Sequence, residues 1–293
     1  MILNPLGHTG LRVSALGFGA MHINDERTTE LEAGALLNRV LDEGITLIDT
    51  ARGYGLSEER IGRHLSARRA EFVLSTKVGY GVDGVADWTY ECIVGGVERA
   101  LRLMKTDVLD IVHLHSCPLP VLQHGDMIRA LADCRTAGKL RVAAYSGDNA
   151  EIDFAIASRA FGSLQTSISL CDQAHLRTRA ALADHAGIGV IAKRPLAGAV
   201  WRHLQRPGDF AEGQYWDRFR AMGLTGAEDW ADVALRFAVF HTGAASAIVG
   251  TAKPANLRRN LESIARGPLP AELALAIRSA FDHHGGDAWP GLI

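Results

Sequence analysis

Short apolar runs alternate along the chain with longer segments that carry a helical period. Eight of these runs are rich in β-branched and apolar residues and have the length of strands. Most begin about 25 to 35 residues after the previous one, which is room for one strand, one helix and two short loops. The eight candidate strands are Leu16 to Ala20, Thr46 to Asp49, Phe72 to Lys77, Asp110 to His115, Arg141 to Ser146, Ser163 to Ser167, Gly189 to Lys193 and Ala247 to Gly250.

The segments between these runs predict helices with one buried face. Apolar residues from Ala33 to Leu41 recur at the spacing of an amphipathic helix, and those from Ile93 to Met104 repeat the pattern. Gly44, Gly138 and Gly187 stand where three of the helices should end, because a helix often closes with a residue in the left-handed conformation.

This series of strand–helix units predicts a parallel sheet covered by helices. An open doubly wound sheet usually begins with a G-x-G-x-x-G loop, but His22 stands at the third glycine position after Gly17 and Gly19. We therefore predict an α/β fold of the TIM type, one (β/α)8 barrel that forms a single domain over residues 1–293.

Three stretches depart from the repeating pattern. Gly7 to Gly10, between Leu6 and Leu11, predict a short hairpin before the first barrel strand. Residues 197–228 are interpreted as a helical and loop insertion after the seventh strand, on the face where barrel enzymes carry their active sites. Asp282 to Ile293 are interpreted as a tail that packs over that same face.

Composition narrows the possible partners and compartment. The formal net charge of −2 gives no reason to expect nucleic acid or an anionic membrane. The first residues do not resemble a secretory signal, and no run of about 20 apolar residues is present to span a membrane. The four cysteines are scattered without a Cys-x-x-Cys pair, which favours reduced thiols in a cytoplasmic protein.

Ionisable residues stand at the ends of three successive candidate strands. Asp49 ends the second strand, Lys77 the third and His115 the fourth, while Tyr54 follows Asp49 in the next loop. Each residue alone could be a cap, an exposed strand end or a packing residue. Because the carboxyl ends of parallel strands meet at one face of a barrel, all four are predicted to converge there.

Such a group suits the reduction of a carbonyl compound. Delivery of hydride to the carbonyl carbon builds negative charge on the oxygen, which then needs a proton. A neighbouring ammonium group favours the phenolate form of a tyrosine and eases transfer of its proton. A paired carboxylate keeps a buried lysine charged, and a histidine can orient the carbonyl by a hydrogen bond.

The order and spacing of these residues resemble the aldo-keto reductase family. The similar element is Asp-Thr-Ala-x-x-Tyr-Gly-x-Ser-Glu at residues 49–58, followed by Lys77 and by Leu114-His115. The resemblance continues over essentially the whole chain, through Gly10 to Ser14 and Pro195 to Gly198. It implies a reversible, NADPH-dependent reduction of an aldehyde or ketone to an alcohol. Its proton donor would be Tyr54, tuned by Lys77 and Asp49, with His115 orienting the carbonyl.

The resemblance also implies where the cofactor binds. Gln165 is similar to the glutamine that holds the carboxamide, and phosphates would lie near residues 248–254. Pro254 suits the first turn of a helix whose N-terminus, with Lys253, attracts a phosphate. Trp88 is expected beside Tyr54 and His115 in the substrate pocket. The implied cofactor contacts are Gly19, Ala20, Asp49, Ser146, Gln165, Arg194, Leu196, Gly250, Thr251, Lys253, Asn256, Arg259 and Asn260.

Two positions depart from the family pattern. Lys193-Arg194 replace a Tyr-Ser pair, so the usual aromatic stack on the nicotinamide is absent, and we hypothesise that the flat guanidinium of Arg194 contacts the ring or the diphosphate. Asn256 stands in place of an arginine often used for the adenosine 2′-phosphate. Lys253, Arg258 and Arg259 are then the candidates to supply the charge. We favour NADP over NAD as cofactor.

Other interpretations stay open. His113, His115 and Cys117 could bind zinc, but no fourth ligand accompanies them and we expect no metal. Lys77 could form a Schiff base in an aldolase-type barrel. A non-catalytic, cofactor-binding regulatory protein could have the same fold.

The substrate is the least constrained of these predictions. We expect a small carbonyl or alcohol compound, with an apolar or aromatic body if the loop tryptophans line the pocket. Packing of those loops against each other is the alternative. The tryptophans are Trp88, Trp201, Trp216 and Trp289. The oligomeric state is not visible in the sequence.

Overall fold

The computed structural model describes residues 1–292 and contains a closed barrel of eight parallel strands. The predicted (β/α)8 fold is confirmed, and each barrel strand begins and ends within one residue of its predicted position. The strands follow one another around the barrel in chain order, and the last pairs with the first. They are β3 (Leu16–Gly19), β4 (Leu47–Asp49), β5 (Val73–Val78), β6 (Leu109–His115), β7 (Leu140–Ser146), β8 (Ser163–Ser167), β9 (Gly189–Lys193) and β10 (Ser246–Gly250).

The predicted hairpin closes the N-terminal end of the barrel. Strands β1 (Leu3–Pro5) and β2 (Arg12–Ser14) pair antiparallel, with Leu3 opposite Ser14. Leu6 and Val13 are buried against inward-facing side chains of the barrel strands. The hairpin turn approaches the barrel so closely that a Cβ on Gly7 would lie 2.4 Å from the carbonyl oxygen of Gly187.

Helices alternate with the barrel strands and cover them with their apolar faces. The first begins with a capping box, in which Thr29 and Glu32 satisfy each other's backbone N–H groups. Gly44, Gly138 and Gly187 adopt the predicted left-handed conformation after their helices. The helices are α1 (Glu30–Asp42), α2 (Ser57–Leu65), α3 (Tyr90–Leu103), α4 (Leu119–His124), α5 (Asp126–Thr136), α6 (Asn149–Ser158), α7 (Ala174–Thr178), α8 (Ala180–His185), α9 (Phe210–Ala221), α10 (Trp230–Phe240), α11 (Pro254–Ala265) and α12 (Ala271–His284). No helix of the described residues is long and apolar enough to cross a membrane.

The insertion after the seventh barrel strand builds a second apolar core. It holds a short 3-10 helix, Ala197–Arg202, followed by α9. Trp201 packs on Phe219, and the Trp216 indole donates a hydrogen bond to the His203 carbonyl. Trp289 belongs to the same core, where it packs on Phe281. These three tryptophans therefore pack the loops together, which is the alternative to lining a pocket.

The tail is more ordered than predicted but lies on the predicted face. Its first residues, Asp282 to His284, complete the last turn of α12 because the apolar face of that helix continues to Phe281. Gly291 exchanges two hydrogen bonds with the side chain of Asn149, at the start of α6. The Leu292 carbonyl accepts from Ser167 and Arg194, at the carboxyl ends of β8 and β9. Ile293, the last residue of the predicted tail, lies outside the described residues.

Candidate active site

Four side chains predicted to act together meet at the carboxyl ends of β4, β5 and β6. The Lys77 ammonium donates to Asp49 Oδ2 at 2.6 Å and to the Thr50 carbonyl at 2.8 Å. Its Nζ lies 5.1 Å from the centroid of the Tyr54 ring. The rings of Tyr54 and His115 meet edge to face, with centroids 6.1 Å apart. The structure thus brings Asp49, Tyr54, Lys77 and His115 into one site.

The ion pair at the centre of this site is almost completely buried. Asp49 Oδ1 accepts from Ser75 Oγ and from Gln165 Nε2, each at 2.8 Å. Burial acts to lower the pKa of Lys77, but the charge of Asp49 and its hydrogen bond outweigh burial and leave that pKa above its ordinary value. Lys77 is therefore charged at neutral pH, and this charge lies against the face of a phenol ring.

The loop that carries Tyr54 is anchored at both ends. The hydroxyls of Thr50 and Ser57 lie 2.8 Å apart, and Ser57 also donates to the Ala20 carbonyl. The buried Glu58 accepts from Thr76 Oγ1 at 2.7 Å and from Arg99 at 3.0 Å. The motif at residues 49–58 contained Ser57 and Glu58 without a role for either. Their burial shows that they hold the tyrosine loop to the barrel wall.

His115 has a partner that the sequence analysis missed. The hydroxyl of Tyr80 lies 2.7 Å from His115 Nδ1, and the two rings stack with centroids 5.5 Å apart. Burial, reinforced by the Lys77 charge, lowers the pKa of His115 to about 3, so the imidazole is neutral. The signal available in the sequence was an aromatic residue shortly after the strand-end Lys77.

Trp88 extends the same wall. Its indole meets Tyr80 edge to face at 6.2 Å. The indole covers Gly79 so closely that a Cβ there would lie 2.3 Å from the ring. Tyr54, His115, Tyr80 and Trp88 therefore form one row of contacting rings, and the structure places Trp88 near the site without contact to the Lys77–Asp49 pair.

The residues weighed as zinc ligands have other partners. His113 Nε2 lies 3.1 Å from Ser75 Oγ, on the interior side of the barrel, while His115 Nδ1 contacts Tyr80. Cys117 Sγ contacts the Pro118 carbonyl. Among the side chains that the structure describes, no group of three His, Cys, Asp or Glu is arranged to hold a metal ion.

Two predicted cofactor contacts join the site directly. Ser146 Oγ donates to Gln165 Oε1 at 3.1 Å, and Gln165 in turn donates to Asp49. Both residues are only 1% exposed, so a hydroxyl and a primary amide are held at the ends of β7 and β8. These groups supply the donors and acceptor that a carboxamide needs, and they fit the nicotinamide that the resemblance implies.

Several predicted cofactor contacts lie at the carboxyl ends of β3 and β10. Gly19 and Gly250 are paired, and a Cβ on Gly250 would lie 2.7 Å from the His22 ring, so only glycine fits there. Thr251 Oγ1 accepts from the Lys253 N–H and from Asn256, which shapes the turn into α11 at Pro254. Of the other predicted contacts, Ala20 follows β3, Leu196 packs between the two apolar cores and Asn260 is half-buried on α11.

The three cations proposed for a 2′-phosphate differ in their surroundings. Arg259 donates to Asp229 at 3.1 Å, and Arg258 lies 3.9 Å from Glu262. Lys253 is exposed at the N-terminus of α11. Lys253 is therefore the cation best placed beside the N–H groups of that helix.

A second group of charged side chains lies at the ends of β7, β8 and β9. We call it the second charged cluster; it consists of Asp148, Asp172, Lys193, Arg194 and Arg218. Lys193 pairs with Asp148 at 2.9 Å, and Arg194 donates to the Leu292 carbonyl of the tail. Burial, with the charge of Asp148, raises the pKa of Asp172 to about 7. Of this cluster, only Lys193 and Arg194 were singled out from the sequence.

A cavity of about 770 Å3 lies away from the site formed by Asp49, Tyr54, Lys77 and His115. It lies at the N-terminal side, between the hairpin, α8 and α10. Residues lining it include His8, Asp184, Gly187, Val239 and Ala244. None of the four converging residues contributes to its wall, so this cavity is not the predicted site.

Comparisons with known proteins identify the family. The Aldo/keto reductase family model matches residues 15–281. The chain is 30% identical over 209 residues to L-galactose dehydrogenase from Arabidopsis thaliana, covering 67% of this chain and 65% of that protein. It is 29% identical over 153 residues to 6-dehydroglucose reductase from Novosphingobium aromaticivorans, covering 48% of this chain and 50% of that protein. The chain thus spans just under two thirds of the first relative and half of the second.

A solved structure shows the same fold over almost the whole length. The aldo-keto reductase AKR11C1 from Bacillus halodurans, in its holo form, superposes with a TM-score of 0.85 at 24% identity. The match covers 99% of this chain and 98% of that one. The family model matches most of the chain, and this match shows the family. The chain belongs to the Aldo/keto reductase family.

Proposed function

We propose that this protein reduces an aldehyde or ketone to an alcohol with NADPH, and catalyses the reverse reaction, using Tyr54 as proton donor. The observation that carries this proposal is the buried Lys77–Asp49 pair against the Tyr54 ring, beside a neutral His115. A charged lysine in this position stabilises the phenolate that remains after the proton leaves. General acid catalysis of this kind contributes about 10²- to 10⁴-fold to a rate.

Each residue of the site has its own role in the proposed reaction. A bound nicotinamide cofactor supplies the hydride. Tyr54 donates the proton to the oxygen, where negative charge develops, and Lys77 holds the compensating charge. His115, being neutral, donates a hydrogen bond that orients the carbonyl. Asp49 keeps Lys77 charged and, through Gln165, connects the proton donor to the carboxamide site.

The cofactor would be held around the rim of the same barrel face. Ser146 and Gln165 suit the carboxamide, and Arg194 with Leu196 suits the diphosphate. Gly250 and the N-terminus of α11 suit the adenosine phosphates. The exposed Lys253 at that N-terminus favours NADPH over NADH. Equal catalytic efficiency with NADH and NADPH would contradict this preference.

The substrate is proposed from the row of rings at the mouth of the site. Tyr80 and Trp88 present aromatic surface next to Tyr54 and His115, which favours a carbonyl compound with an apolar or aromatic body. One relative is named L-galactose dehydrogenase, after a sugar, so the substrate survey should include sugars. A survey in which only polar sugars react would contradict the apolar preference. The four buried, unpaired thiols are consistent with a cytoplasmic location.

The Schiff-base mechanism and the regulatory role fit the site less well than carbonyl reduction does. A Schiff base requires a lysine that can lose its proton and attack a carbonyl. Lys77 instead is 1% exposed and donates to both Asp49 and the Thr50 carbonyl. A purely regulatory, cofactor-binding role leaves the arrangement of all four converging side chains without a purpose.

Turnover of NADPH tests the proposal. The absorbance of NADPH is followed with a panel of aldehydes, ketones and sugars, for wild type, Tyr54→Phe and Tyr90→Phe. We expect Tyr54→Phe to lower kcat by about 10²- to 10⁴-fold while NADPH still binds. Tyr90, on the outer surface of α3, donates to Asp133, so Tyr90→Phe is the matched control and should keep full activity.

Two results would overturn the proposal. Binding of NADPH by wild type without turnover of any substrate would favour the regulatory role. Failure to bind either nicotinamide cofactor, with trapping of a substrate on Lys77 by borohydride, would favour the Schiff-base mechanism.

A further inference from the structure

Tyr80 contacts the histidine of the site rather than the proton donor. Its Oη lies 2.7 Å from His115 Nδ1, a strong hydrogen-bond distance, and its ring lies nearly parallel to the imidazole, at 25°. Since Nδ1 is used by Tyr80, Nε2 is the ring nitrogen that remains for a substrate. Whether Nε2 can donate a hydrogen bond depends on which of the two nitrogens carries the proton.

The surroundings restrict the position of Tyr80. Trp88 meets its ring edge to face at 6.2 Å, and a Cβ on Gly53 would lie 3.0 Å from its hydroxyl. Arg52 reaches across the start of the same loop and donates two hydrogen bonds to the Gly81 carbonyl. The hydroxyl is therefore enclosed between His115 and the tyrosine loop, and rotation about its C–O bond is its main remaining freedom.

A neutral imidazole has one N–H donor and one acceptor nitrogen. The Tyr80 hydroxyl is protonated at neutral pH, because burial and the nearby Tyr54 raise its pKa. A protonated phenol that donates to Nδ1 places the imidazole proton on Nε2. Only in that tautomer can His115 donate a hydrogen bond to a carbonyl oxygen. In the other tautomer Nε2 is an acceptor and would repel that oxygen.

We propose that Tyr80 is a positioning residue, which fixes His115 in the Nε2–H tautomer by donating its hydroxyl proton to Nδ1 in a hydrogen bond. The proposal rests on the carbonyl reduction proposed above and adds a residue to it. Tyr80 does not transfer a proton in the reaction. Because the forward and reverse reactions share one transition state, the same tautomer serves both directions.

The phenylalanine variant isolates the hydroxyl. Tyr80→Phe keeps the ring stack and removes only the donor to Nδ1. We expect kcat for carbonyl reduction to fall about tenfold, the value of one lost hydrogen bond in the transition state, with little change in NADPH affinity. Tyr90→Phe again serves as the matched control, and urea unfolding shows whether either variant is destabilised.

A double-mutant cycle distinguishes a role in positioning His115 from a general disturbance of the loop. If Tyr80 acts through His115, Tyr80→Phe should have no further effect on kcat in a His115→Gln background, although it costs about tenfold in wild type. If Tyr80 serves only the shape of the loop, the same loss should appear in both backgrounds. Equal losses would overturn the proposal.

The tautomer itself can be observed without turnover. In protein with 15N-labelled histidine, NMR correlations between ring carbon-bound protons and the two nitrogens show which nitrogen is protonated. The His115 signals are identified as those missing in His115→Gln. We expect Nε2–H in wild type and a shift toward Nδ1–H in Tyr80→Phe. The same tautomer in both proteins would overturn the proposal, even if the carbonyl reductase activity itself were absent.

Discussion

Two buried lysine–aspartate pairs lie on opposite sides of the barrel mouth. Lys77 in β5 pairs with Asp49 at 2.6 Å, and Lys193 at the end of β9 pairs with Asp148 at 2.9 Å. Both lysines are strand-end cations enclosed by protein. Their chemical surroundings differ, and that difference separates the proposed proton-transfer site from the second charged cluster.

The pKa values of the two lysines move in opposite directions. Burial lowers both, and the paired carboxylate raises both. At Lys77 the effect of Asp49 prevails, whereas at Lys193 the charge of Arg194 adds to burial and the pKa falls below its ordinary value. The group next to Lys77 is the ring of Tyr54; the group next to Lys193 is another cation.

An ion pair alone therefore does not mark a catalytic group. The Lys77–Asp49 pair holds a positive charge against a phenol, where it can assist proton transfer. In the second cluster, Asp148 also accepts from Thr166 and Ser167, so its pair with Lys193 connects β8 and β9. We propose a catalytic role for the first pair and a structural role for the second.

The largest expected effect comes from removing each lysine in turn. Lys77→Met should lower kcat by about 10²- to 10⁴-fold, because the phenolate of Tyr54 loses its stabilising charge. Lys193→Met should lower kcat far less. Each variant leaves one carboxylate without its partner, which costs about 3–5 kcal/mol of unfolding free energy. Steady-state kinetics with NADPH and urea unfolding measure both quantities. Equal losses of kcat would remove the distinction between the pairs.

A smaller effect is expected for cofactor affinity. Arg194→Ala should weaken NADPH binding about tenfold, as expected for one charge-assisted hydrogen bond. Arg52→Ala is the matched control, since Arg52 lies on the side of Tyr80 and donates to the Gly81 carbonyl. Fluorescence titration gives both dissociation constants. An unchanged affinity in Arg194→Ala would reject the contact between Arg194 and the cofactor.

The smallest effect concerns stability and pH. Burial and the charge of Asp148 raise the pKa of Asp172 to about 7, so the folded protein holds a proton here that the unfolded chain releases near pH 4. The contribution of this carboxyl to stability therefore falls as pH rises from about 4 to about 7. Lys77 adds no such pH dependence to the unfolding free energy in this interval, because it titrates above neutral pH.

Asp172→Asn removes this titration. We expect the unfolding free energy of the variant, relative to wild type, to increase as pH rises over that interval. Urea unfolding at several pH values measures the difference, in which the contributions of the histidines cancel. A difference that does not change with pH would show that Asp172 is already ionised in the folded protein.

The fold was predictable because its signals are local. A strand such as Gly189–Lys193 is a short apolar and β-branched run, and helix ends such as Gly44 carry their own cap. The meeting of Asp49, Lys77 and His115 followed from a single rule, that parallel strands of a barrel end at one face. No distant contact had to be known.

The remaining contacts depend on the paths of loops, and no repeating pattern of apolar residues predicts those paths. Tyr80 reaches His115 because the loop after β5 turns back at Gly79 and at Trp88, which has a positive φ of 57°. Arg194 contacts Leu292, 98 residues further along the chain. The tryptophans of the insertion suggested a pocket lining, but the insertion folds on itself and uses Trp201 for its own core.

The anchored tyrosine loop has a consequence for the timescale of its motion. Amides within it are bonded: Arg52 N–H donates to the Lys77 carbonyl, Leu56 N–H to Asn24, and Ser57 N–H to Tyr54. The Arg52 amide can exchange its hydrogen with solvent only when the loop separates from β5. We expect the Arg52 amide to exchange as slowly as the amides of β5, because the loop of the proposed proton donor, Tyr54, is held in place before any substrate binds.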